Sequence, residues 1–137
     1  MTPREICEDF ARRHAVVFDD EGECGFGRKC VGFCRGTSWV SYNPYRYPDF
    51  DAIEELQCDA IGDCRPSNAY HKYDCLAVLG RDDEAIEQLA MWVTAIEALG
   101  DVEIVEYSTG ATGVQQIFTG SVNYAIVVRE RADAGRA

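Results

Sequence analysis

The sequence CLAVLGRDDEAIEQLAMWVTAIEALGDVEIVEY, residues 75–107, holds the clearest periodicities in the chain. Between Asp82 and Leu99, Ile86, Leu89, Val93 and Ile96 recur at helical spacing, and Trp92 and Leu99 widen the stripe. Asp82 is the expected helix cap, Asp83 and Glu84 suit the positive end of the helix dipole, and Gly100 is the expected stop. Residues 102–107 alternate in the manner of a strand. Upstream, Cys75-Leu76-Ala77-Val78-Leu79 is an unbroken apolar run, which predicts a central strand covered on both faces.

Reading toward the C-terminus, Ser108-Thr109-Gly110-Ala111-Thr112-Gly113 turns the chain. Residues 114–118 and 122–129 then predict a hairpin closing through Thr119-Gly120-Ser121. Residues 130–137 are polar and are expected to fray. Toward the N-terminus, residues 58–72 show no period and hold Gly62, Pro66, Ser67 and Asn68, which predicts a long loop. Residues 49–57 predict a short helix with Phe50, Ile53 and Leu56 on one side. Cys30-Val31-Gly32-Phe33-Cys34 and Thr37-Ser38-Trp39-Val40-Ser41-Tyr42 predict two strands joined tightly at Arg35-Gly36. Val16-Val17-Phe18 predicts a short extended segment. At the start, Thr2 as cap, Pro3 as first helical residue and Glu5 in capping-box position announce a helix. Its apolar face is Ile6, Cys7, Phe10, Ala11 and His14.

Helices and hairpins mixed in this way, without regular strand–helix alternation, predict an α+β fold with a mostly antiparallel sheet and helices packed on one face. A length of 137 residues with 47% hydrophobic content suits a single domain over residues 1–137. Such a chain buries about two thirds of its unfolded surface, so it needs neither disulfide nor metal merely to fold. No apolar run approaches the roughly 20 residues that span a bilayer, and Met1-Thr2-Pro3-Arg4-Glu5 does not read as a signal peptide. The expected setting is the cytoplasm.

Thirteen basic residues against 24 acidic ones give a net charge of −11. That field repels phosphate backbones and disfavours direct nucleic-acid binding. It suits solubility, and it also suits docking onto a basic protein, including one whose own ligand is DNA or RNA. Seven cysteines stand at positions 7, 24, 30, 34, 58, 64 and 75, an odd number that cannot all pair within one chain. In a reducing compartment such thiols stay free, bind metal or act in catalysis. Free thiol with no cofactor is the first reading. The alternative is a zinc site in which Cys30 and Cys34, on the hairpin, meet Cys58 and Cys64, on the loop; none of these is the C-x2-C pair of strong zinc motifs.

Catalytic signals are weak. If His71 and Cys75 lie in extended chain they share a face but stand about 13 Å apart, beyond direct proton transfer. Gly110-Ala111-Thr112-Gly113 resembles a phosphate-cradling turn, yet it precedes a strand and no Lys follows. The stretch richest in recognition chemistry is residues 39–50. There Trp39, Tyr42, Tyr45, Arg46, Tyr47 and Phe50 surround two prolines. Tyr, Trp and Arg dominate binding hot spots, and proline limits the freedom lost on binding. Exposed, this segment is a recognition surface; the bland alternative is that Trp39 and Phe50 are core and the tyrosines cover a sheet edge.

The segment His71-Lys72-Tyr73-Asp74-Cys75-Leu76-Ala77-Val78-Leu79, the helix after it and Tyr107-Ser108-Thr109-Gly110-Ala111-Thr112-Gly113 together resemble small accessory proteins of bacteriophages of high-GC bacteria. The resemblance spans roughly residues 70–129, with no motif of known chemistry and no functional residue to carry over. It implies a protein of the host cytoplasm acting by binding, often to host or defence machinery. The resulting expectation is a non-enzymatic protein that docks onto a protein partner through Trp39, Tyr42, Tyr45, Arg46 and Tyr47, helped by its acidic surface. A zinc-stabilised binding module and a cysteine-dependent enzyme are the alternatives.

Overall fold

A computed structural model of the chain describes residues 1–20, 31–36, 38–42, 66–107 and 123–130. The expected α+β architecture is what it shows. In chain order the elements are α1 (Pro3–Arg13), β1 (Val17–Asp19), β2 (Gly32–Arg35), β3 (Ser38–Tyr42), α2 (Pro66–Val78), α3 (Asp82–Leu99), β4 (Gly100–Tyr107) and β5 (Asn123–Glu130). The five strands form one sheet in the order β1-β2-β3-β5-β4. Every pairing is antiparallel except β3 with β5, which is parallel, with Val40 opposite Tyr124.

Local chemistry explains the ends of the helices. The Thr2 hydroxyl accepts from the Glu5 amide at 3.1 Å, and Glu5 Oε1 accepts from the Thr2 amide at 3.1 Å, completing the capping box. These bonds to Thr2 hold the Glu5 carboxyl below its ordinary pKa. α1 ends at His14, after which Ala15 adopts a left-handed φ of 55°. The Arg35 guanidinium donates to the His14 carbonyl at 3.0 Å and to the Ala15 carbonyl at 3.3 Å, capping the negative end of the helix from the sheet. Asp82, expected as the cap of the long helix, is instead its first helical residue. Arg81 occupies the cap, makes no side-chain cap bond, and ion-pairs with Glu84 at 2.6 Å. Gly100 stops that helix and begins β4, and Gly36, at φ 62°, makes the tight turn between β2 and β3.

The core lies between sheet and helices. Its largest fully buried side chains are Trp92, Tyr73, Phe10, Phe33, Leu89, Ile96 and Ile126. Phe10, Phe33 and Trp92 form an aromatic cluster with ring centroids 4.9 to 6.3 Å apart. α1 and α3 are also tied at their rims, where Arg13 grips both Glu97 oxygens at 2.7 Å and Asp9 at 2.9 Å.

One element departs from the sequence reading. Cys75-Leu76-Ala77-Val78 is not a central strand but the last turn of α2, and residues 66–72, expected in a loop, are its beginning. The physical reason lies in a stripe that a strand reading overlooks: Pro66, Ala69, Tyr73 and, partly buried, Tyr70, Leu76 and Ala77 recur at helical spacing and all face the core. The doubly buried strand is β5, in which Ala125, Ile126, Val127 and Val128 are all buried. The hairpin partner expected at residues 114–118, the helix at 49–57 and the tail after 130 lie outside the described residues.

Candidate interaction surface on the second helix

The inner side of α2 is firmly held. The Tyr73 hydroxyl donates to the Val31 carbonyl just before β2. It does so across Gly32, whose missing Cβ leaves room: a methyl there would run into the Tyr73 hydroxyl and come within 2.6 Å of the Trp39 ring. Tyr70 stacks 5.0 Å from Trp92 and 5.5 Å from Tyr42. Burial pushes the Tyr73 phenol well above its ordinary pKa.

The outer side has opposite properties. His71, Lys72, Asp74, Cys75, Val78 and Leu79 are all exposed. Val78 and Leu79 leave 74% and 70% of their surface in water, which places two large apolar side chains together at the helix end. Single exposed apolar residues are common, whereas contiguous apolar exposure is a candidate for contact with a partner. The helix also brings its two chemistry-bearing residues together. His71 and Cys75 are one turn apart, so their Cα atoms stand about 6 Å apart instead of 13 Å. Cys75 Sγ lies 3.7 Å from His71 Nε2, within hydrogen-bonding reach for sulfur. The separation expected from an extended chain is thus corrected. A thiol and an imidazole at this distance can share a proton or ligate one soft cation.

The charge of this face differs from that of its neighbour. α2 carries one Lys and one Asp, whereas α3 carries Asp82, Asp83, Glu84, Glu87 and Glu97 with no basic residue. The outer side of α2 is therefore a locally neutral, partly apolar patch on an acidic protein.

The residues expected to form an aromatic recognition loop divide. Trp39 and Tyr42 are half-buried and pack against the core; Tyr42 meets Trp92 edge-on at 5.1 Å. Their rings fit the bland alternative. Tyr45, Arg46 and Tyr47 lie outside the described residues. Of the zinc alternative, Cys30, Cys58 and Cys64 lie outside them too. Cys34 is buried beside Trp39, and burial pushes its thiol up to about 11. Cys7, wholly buried in α1, is pushed up to about 12 for the same reason. Cys75 is the one exposed thiol among the described residues, and no group of three or more His, Cys, Asp or Glu able to hold a metal occurs among them.

The chain matches no protein-family model, no curated protein and no solved structure. No helix among the described residues is long and apolar enough to cross a membrane.

Proposed function

We propose that the chain is a non-enzymatic binding protein that docks onto another protein through the outer face of α2. The observation that carries this reading is the exposure of Val78 and Leu79 next to the Cys75–His71 pair, on a helix whose other side is fixed in the core. Burying two such side chains in a partner gains about 1.5–3 kcal/mol each, and because α2 is already packed along α3 and tied to the Val31 carbonyl through Tyr73, little ordering entropy opposes it. Local neutrality favours protein over nucleic acid at this face. Tyr45, Arg46 and Tyr47 belong to the proposal as additional contacts read from sequence. The resemblance to phage accessory proteins supports placing the protein in a host cytoplasm.

Cysteine catalysis is the second reading, favoured by the 3.7 Å thiol–imidazole separation. It ranks below adhesion because the pair sits on an open helix surface, whereas efficient thiol chemistry uses a nucleophile whose base is itself oriented by a third group. The two readings separate by photo-crosslinking in cells producing the chain. A photo-reactive residue at Leu79 should give a discrete protein adduct, abolished by Val78→Asp, while the same residue at the exposed Ala98 of α3 gives none. Equal labelling at both positions, or none at Leu79, would overturn the docking surface.

A further inference from the structure

We propose that the corner where α1 gives way to β1 is an acid-sensitive latch, closed while the His14 imidazole is neutral and opened when it takes up a proton. This device is independent of the α2 surface. His14 is the C-cap of α1 and leads into the left-handed Ala15. Its ring stands 4.4 Å from the ring of Phe10, which is wholly buried against Phe33 and Trp92. The His14 Nε2 is buried and meets no hydrogen-bond partner among the described residues. A neutral imidazole tolerates such a place at the cost of one unmade bond, whereas an imidazolium would carry a charge out of water.

The charged groups at this corner do not rescue the cation. A histidine at a helix C-terminus ordinarily gains from protonation, because its charge meets the negative end of the helix dipole. Here the Arg35 guanidinium reaches across from β2, over the Tyr124 ring of β5, and already donates to the His14 and Ala15 carbonyls. On α1 itself the neighbouring Arg13, paired with Asp9 at 2.9 Å, brings a second cation. From α3 the carboxylate that acts on the ring is Glu97, and Arg13 grips both of its oxygens at 2.7 Å. On β1 the titratable residue is Asp19, whose field falls on Cys34. Burial first and Arg13 second hold the imidazole below its ordinary pKa, against the opposing pull of Glu97. Once the corner opens, the ring returns to water and to an ordinary value near 6.5, so the open form binds more protons than the closed one. Acid therefore favours opening. The stabilisation is whole above that value and is lost as pH falls below it, until the closed form is itself protonated. Turning the ring out uncovers Phe10 and loosens the bonds beside it, the Arg35 cap and the Val16 amide to the Ala11 carbonyl at 3.0 Å.

The test is amide hydrogen exchange of the full chain, read residue by residue between about pH 7.5 and about pH 5.5 and corrected for the intrinsic rate at each pH. That window lies above the ordinary carboxylate range, so Asp and Glu contribute little to it. The Val16 amide should lose protection by up to about tenfold across the window, the limit set by one histidine of ordinary pKa in the open form. The amides of Ile126 and Val127 in β5 should keep theirs. His14→Phe, which keeps a ring against Phe10 and removes the titration, should flatten the Val16 profile. His71→Gln, which removes the other of the chain's two imidazoles, should leave it unchanged. The imidazole signals that survive in His71→Gln belong to His14 and should titrate below 6.5. A midpoint at or above that value would overturn the proposal whether or not His14→Phe folds. So would a Val16 protection that is constant with pH, or one that falls equally in His14→Phe. Equal loss of protection in α1 and β5 would replace the latch with acid unfolding of the whole domain.

Discussion

The two faces of α2 obey different rules, although they belong to the same thirteen residues and the one that follows them. The inner face is specified by shape: Tyr73 reaches a single carbonyl through a gap left by a single glycine, and Tyr70 sits among other rings. The outer face is specified by very little that folding requires. Val78 and Leu79 gain nothing from the protein's own core, and the His71–Cys75 contact is exposed. Residues that folding does not use, of types that water disfavours, are where a binding role is most economically placed. The contrast makes quantitative claims about both sides.

The largest effect belongs to Gly32→Ala. The new methyl meets the Tyr73 hydroxyl and the Trp39 ring, and Gly32 sits at φ 156°, where L side chains are strained. Overpacking together with strain should cost about 3 kcal/mol or more, read as a lower urea midpoint. Because the closest obstacle is one hydroxyl, Tyr73→Phe in the same chain should recover part of the loss. Strict additivity of the two changes would show that the Trp39 ring or the backbone conformation, and not the Tyr73 hydroxyl, requires the glycine, and would break the inner half of the comparison.

Tyr73→Phe alone comes next. It removes the donor to the Val31 carbonyl while keeping the ring, and an acceptor buried without that partner costs about 1–3 kcal/mol. A change below about 0.5 kcal/mol, measured by the same urea titration, would mean that the bond contributes little beyond the ring's packing.

Much of this architecture is legible in the sequence. Thr2 and Glu5, the glycine turn at 36, the stripe from Ile86 to Leu99 and the stop at Gly100 are local signals, and each acts within one turn or one hairpin. α2 is not legible from its apolar run. Five consecutive apolar residues satisfy a buried strand and a helix end equally well, and only the longer stripe from Pro66 to Ala77 separates them. That one ambiguity also conceals the candidate site, because the spacing of His71 and Cys75 depends on the rise per residue. At strand rise the pair is inert, and at helical rise it is in contact. Trp39 and Tyr42 teach the converse. Residue types favoured at interfaces are also favoured in cores, since both environments reward large rings with one polar end.

The thiols offer a smaller effect with a defined sign. Cys7 and Cys34 keep their protons in the folded protein up to about 12 and about 11, against an ordinary value of 9.0. In the unfolded chain they ionise first, so their contribution is complete below pH 9 and is lost as pH rises through 9 toward those values. Thermal stability should therefore decline on the alkaline side, and Cys7→Ala should make that decline shallower. At neutral pH, peptide mapping after brief alkylation should find Cys75 modified well before Cys7 and Cys34. Equal rates at the three positions would erase the distinction between buried and exposed thiols.

The smallest expected effect is the one most able to collapse the comparison. Val78→Ser and Leu79→Ser should each change folding stability by no more than about 0.5 kcal/mol, because side chains that remain in water have realised almost none of their transfer free energy on folding. Serine and valine have nearly equal helix propensities, so the exchange at Val78 changes it by at most a few tenths of a kcal/mol, and Leu79 stands just beyond the helix end. Val78→Ser should nevertheless abolish the adduct formed by the photo-reactive residue at position 79. If either instead lowers stability by about 2 kcal/mol, the range in which core truncations begin, then the outer face is held by the chain itself. Its apolar residues would then be explained by folding, and no partner would be required.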